Sequence, residues 1–145
     1  MMLIMMNNEM LLLPLAASIC LTIALIEAWI LTAVRYLRWN GIKKIFPNYR
    51  DLVRSHIDYL IMSAIVFSVY MVLKELKINP PSAILWLTMI GAIYNPFGFI
   101  LQAMKPDIVG NDLLSKIGVV IGFLPLSIGL GWCSIEILLV SLERL

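Results

Sequence analysis

Apolar residues come in four long blocks along this chain, separated by short clusters of charge, proline and glycine. The first block runs from Leu11 to Val34 and contains one charge, Glu27. The second starts at His56 and runs to Leu73, with Asp58 close to its beginning. The third, from Ile78 to Met104, has no charge, and the fourth, from Ile117 to Leu142, has only Glu136. A helix needs about 20 mostly apolar residues to cross a hydrocarbon layer of roughly 30 Å. Each block therefore predicts a spanning helix, over 11–34, 56–73, 78–104 and 117–142. The residues before the first block are Met-rich and lack a basic cluster, and Arg35 closes the block with no small-x-small cleavage site, so it reads as a retained helix rather than a signal peptide.

The connections are short, which favours antiparallel neighbours. Lys74-Glu75-Leu76-Lys77 joins the second and third helices, and Pro80-Pro81 sets the start of the third. Pro106, Gly110 and Asn111-Asp112 supply turn chemistry before the fourth. Only the Arg35–Ser55 connection has room for more than a turn. The expected architecture is an all-α membrane protein, one antiparallel four-transmembrane-helix bundle.

Composition agrees with the pattern. Of 145 residues, 61% are apolar and 14% charged, against roughly 45–50% and about 25% in soluble domains. A soluble chain this small could not hide that excess; a bilayer can. A net charge of +2 argues against a nucleic-acid module. Cys20 and Cys133 lie in apolar runs and read as small core residues rather than a bridge or zinc site. Eight Lys and Arg fall on the side of the first and third connections and three on the other. That bias predicts both termini on the non-cytoplasmic side of a cell (inner) membrane.

Against this background the polar residues inside spans stand out, because an ionisable group at the centre of a span costs about 2.5–3.5 kcal/mol on insertion scales. Glu27, His56, Asp58 and Asn95 fall in the half of the bundle nearest the first connection, and Glu136 falls in the other. His56, Tyr59, Ser63, Val66 and Tyr70 follow helical spacing and share one face. Tyr94-Asn95-Pro96 is a second polar element, whose proline frees the carbonyl of Ala92. Structural readings stand beside the functional ones: Glu27 as a partner of Arg35, His56 as an interfacial histidine, and Asp58 as a charge favouring the positive end of its helix. Likewise Tyr36, Trp39, Tyr49 and Tyr59 read as belt aromatics, and Gly118-x-x-x-Gly122 as a helix contact. The chain has no phosphate loop, paired Cys-x-x-Cys or His-Glu-x-x-His, and one histidine cannot build a multi-histidine metal site. One imidazole is enough to hold haem.

Arg54-Ser55-His56-Ile57-Asp58 at the entry to the second helix resembles the second-helix motif of the small four-helix membrane isomerases, the hydroxylaminobenzene mutases and styrene oxide isomerases. Tyr94-Asn95 followed by Gly98-Phe99 is similar to their third-helix element. The likeness covers about residues 50–104. Met62 stands where the family carries Asn, and Ile100 where the isomerases carry a substrate-orienting Tyr. The resemblance implies haem b held axially by His56, a contact between subunits of a trimer, and intramolecular rearrangement of a small lipophilic substrate. Tyr59, Tyr94 and Asn95 are then the candidate catalytic hydrogen-bond donors, and Ser63, Asp58 and Glu27 the candidate pocket residues. Two other classes compete: a non-enzymatic subunit packing in a larger membrane complex through the Gly-rich fourth helix, and a small transporter or proton relay using Glu27, Asp58 and Glu136.

Overall fold

In the computed structural model, which describes residues 8–108 and 113–145, the chain is helical and no strand occurs among the described residues. A 3-10 turn over Asn8–Leu11 leads into α1 (Leu12–Arg35), followed by a short α2 (Asn40–Ile45), α3 (Tyr49–Leu76), α4 (Ser82–Met104), a 3-10 turn over Pro106–Ile108, and α5 (Leu113–Glu143). The turn assigned to Gly110 and Asn111-Asp112 lies outside the described residues.

Four stretches, Asn8–Arg35, Tyr49–Leu76, Ser82–Met104 and Lys116–Glu143, are long and apolar enough to cross a bilayer. The large apolar side chains left on the outside are mostly leucines, isoleucines, valines and phenylalanines such as Leu138 and Phe123, with tryptophans such as Trp29 among them. Such a surface is stable only against lipid. The chain is a multi-pass integral membrane protein.

The first span boundary to differ from expectation is that of α3, which starts at Tyr49, seven residues before His56. Arg50, Asp51 and Arg54 resemble loop residues in a hydropathy pattern, yet they form the first turns of the helix. Asn48 donates to Asp51, Arg54 reaches the same carboxylate at 2.9 Å, and the Asn48 N–H bonds to the Ala103 carbonyl at 3.2 Å. An acidic residue in a first turn also complements the helix dipole. The other end of α3 closes when Lys77 turns left-handed (φ 59°), so that the Ile78 and Lys77 N–H groups meet the Leu73 and Lys74 carbonyls. Ile78 and Leu73 are both buried there, the hydrophobic contact that accompanies this type of cap. Pro80 and Pro81 hold α4 back to Ser82, four residues after the expected start.

Cross-contacts fix the topology. Ala24 meets His56, Ser55 meets Pro96, and Tyr59 meets Ile93, so α1 runs antiparallel to α3 and α3 to α4. On its other side α4 meets α5, Gly91 against Leu126 and Gly129 against Thr88, again antiparallel. Helix α4 is therefore the centre of the bundle, packed on α1 and α3 on one side and on α5 on the other. The α4–α5 approach is set by glycines: a Cβ on Gly129 would lie 2.7 Å from Thr88 N, and one on Gly91 would lie 2.6 Å from Leu126 Cα. Of the expected Gly118–Gly122 contact only half exists. A Cβ on Gly122 would lie 3.6 Å from the Asn95 Cα, in ordinary contact, whereas one on Gly118 would meet open space. The main core, with Leu13, Cys20, Tyr59, Val66, Leu85 and Cys133 among its buried residues, fills the bundle, and a smaller one of Leu31, Leu52 and Ala103 closes the end next to α2. Both cysteines are buried and free, as their apolar settings suggested.

Candidate functional site

Proline 96 leaves the Ala92 carbonyl without its helical N–H partner, and within a bilayer a neighbouring helix must supply one. The Cys20 thiol of α1 does so, at 3.6 Å. Two further side chains reach carbonyls of the same stretch of α4 from α3: the Tyr59 hydroxyl donates to Ile93 O at 2.9 Å, and the Ser55 hydroxyl to Pro96 O at 3.3 Å. These three bonds make a polar layer where α1, α3 and α4 meet. Tyr59 is wholly buried in it, which corrects its reading as a belt aromatic; Tyr36 and Trp39, by contrast, are exposed.

Glu27 belongs to this layer. It is 2% exposed and lies beside Ser55 and within electrostatic reach of Tyr59. The single Ser55 hydrogen is directed to Pro96 O, and neither Glu27 carboxylate oxygen has a hydrogen-bond partner. The expected partner, Arg35, is elsewhere, its guanidinium resting over the Tyr36 ring at 5.6 Å. An orphaned carboxyl inside a span has no structural benefit to explain it, which makes Glu27 a candidate functional residue.

His56 stands one turn of α1 away from Glu27, bridging to α1 through Nδ1, which lies 2.9 Å from Ala24 O. Because α3 starts at Tyr49, the ring sits two turns inside the helix and is half-buried, rather than standing at a helix entry. A carbonyl can only accept, so Nδ1 carries the hydrogen and Nε2 of the neutral ring keeps its lone pair. Moving along α3 at about 100° per residue, Leu60, Ser63 and Phe67 fall on the flank of His56. Leu60 and Phe67 are exposed and Ser63 is half-buried, so the flank is apolar with one hydroxyl in it.

Three of the expected site residues are not brought together with His56. Asp58 is two residues further along, about 200° around the helix, and so lies on the opposite flank of α3. Tyr94 is 56% exposed on the outer side of α4, edge-on to Phe97. Asn95 has its backbone next to Gly122 of α5, on the side of α4 away from α3. The sequence places Ser55 only within the motif beside His56, and Cys20 only as a small core residue, so neither stands out as a donor to α4. The spacing of Ser55 four residues before Tyr59 was a usable signal, since it puts both hydroxyls on one stripe; nothing in the sequence pointed to Cys20. Among the described residues no cluster of three or more His, Cys, Asp or Glu side chains could hold a metal ion by itself. No family model, curated protein or solved structure matches the chain.

Proposed function

We propose that this membrane protein binds haem b through His56 and rearranges a small lipophilic substrate, as do the four-helix membrane isomerases whose second-helix pattern it resembles. The 2.9 Å contact between His56 Nδ1 and Ala24 O carries this reading. Metal-binding imidazoles are regularly held by a carbonyl at the far nitrogen, which fixes the tautomer, orients the ring and raises the basicity of the ligating nitrogen. One imidazole so held would be able to serve as the side-chain ligand of a haem iron. Haem bound there would supply a ferric Lewis acid able to accept an oxygen lone pair.

The remaining work falls to the chain. In the single chain the flank formed by Leu60, Ser63 and Phe67 is open, and its apolar character would admit an uncharged substrate from the bilayer and exclude water. The Ser63 hydroxyl is the group on that flank able to orient a polar atom of the substrate. Tyr59, whose hydroxyl is committed to Ile93 O, positions α3 instead. A second and third copy of the chain, arranged as a trimer, would cover the flank. Expression with haem supply and purification in detergent should give a coloured protein whose Soret band is lost or displaced in His56→Ala. A colourless wild type, or an identical band in the variant, refutes the assignment.

The orphaned Glu27 carboxyl favours one second reading, a proton relay across the polar layer. It predicts proton flux into proteoliposomes that Glu27→Gln abolishes and His56→Ala does not.

A further inference from the structure

The segment between α1 and α3 combines two properties that rarely meet on an exposed surface. No Asp or Glu occurs between Glu27 and Asp51, while Arg35, Arg38, Lys43, Lys44 and Arg50 do. Asp51 is already taken by Arg54 and Asn48, and among the described residues no carboxylate pairs with Arg38, Lys43, Lys44 or Arg50. Beside these cations, Leu37, Trp39 and Ile45 are more than half exposed. Helix α2 carries Lys43, Lys44 and Ile45 with Trp39 as its N-cap, and an open groove of about 410 Å³ is lined by Asn40, Lys43 and Lys44.

The fold places this segment where α1 ends and α3 begins, at the edge of the spans and hence at the height of lipid head groups. There, apolar side chains can enter the acyl boundary while lysines reach outward to phosphates. A dissolved phosphate would satisfy the lysines and leave Leu37 and Trp39 in water. A lipid satisfies both. We infer that the α1–α3 connector is a binding site for an anionic phospholipid, with Lys43 and Lys44 on the head-group phosphate and Leu37 and Trp39 against the chains.

The test is native mass spectrometry of the full chain in detergent, titrated with phosphatidylglycerol or with phosphatidylcholine of the same acyl composition. Phosphatidylglycerol should be retained preferentially. Lys43→Gln/Lys44→Gln should lower that preference by about five-fold for each cation removed. Lys74→Gln/Lys77→Gln, at the opposite end of the bundle, should leave it unchanged, and added inorganic phosphate should not displace the lipid. Equal retention of the two lipids, or an equal loss in the variant at the opposite end, overturns the proposal. Displacement by phosphate overturns it as well, since it would make the groove a free-anion site.

Discussion

Replacing Glu27 with leucine exchanges a buried carboxyl for an apolar side chain of similar length. Both carboxylate oxygens are closed off from solvent and lack a hydrogen-bond partner, while the surrounding thiol and hydroxyls of Cys20, Ser55 and Tyr59 are all turned to carbonyls of α4. Leaving a buried polar group unsatisfied costs about 1–3 kcal/mol. Leucine removes that cost and leaves the neighbouring Ser55 hydroxyl its bond to Pro96 O, so Glu27→Leu should stabilise the fold by about 1–3 kcal/mol. At about 3 °C per kcal/mol for a chain of this size, the unfolding midpoint in detergent should rise by about 3–9 °C. Cys20 and Cys133 provide the assay, because both thiols are buried and free and react with a thiol-specific dye only when the helices part. On the proton-relay reading, flux into proteoliposomes should be lost in the same variant. A midpoint that falls by several degrees would refute the reasoning, since it would mean that the carboxyl is held by a bond in the native protein.

Gly129→Ala should destabilise the bundle by about 1–3 kcal/mol, as its Cβ has to push α5 away from the α4 backbone; Gly118→Ala, with nothing within 4 Å, should be neutral in the same thermal assay. Equal effects at the two glycines would show that α4 and α5 do not approach at Thr88. Tyr59→Phe removes the bond to Ile93 O and should cost about 0.5–1.5 kcal/mol, measured by the same thiol-reactivity midpoint, with no loss of stability counting against the polar layer.

Which parts of this molecule can be read from sequence follows from what hydropathy encodes. A run such as Ile78–Met104 can hardly be anything but a span, and the turn chemistry of Pro80-Pro81 marks the start of α4 to within a few residues. The start of α3 was harder, since Arg50, Asp51 and Arg54 are polar because they sit at the membrane edge, not because they leave the helix. The Asn48-x-x-Asp51 spacing after Pro47 was the signal that outweighs their charge. Pro96 made the free Ala92 carbonyl foreseeable, but its donor depends on how α1 is rotated against α4, a property of the packed bundle. The same rotation separates residues that the resemblance groups as candidate donors: Tyr59 is buried in the core and Tyr94 is exposed on the outside. Helical spacing on one element is legible. Register between elements is a tertiary fact.

The most direct test of the proposed haem site is imidazole rescue. In His56→Gly the imidazole and its bond to Ala24 O are both removed, leaving a space the size of the ring. Haem-supplied His56→Gly should lack the wild-type Soret band, and added imidazole should restore it in a saturable way. A His56→Gly protein with the wild-type spectrum before imidazole, or one that stays unchanged after it while remaining folded, would contradict ligation by His56.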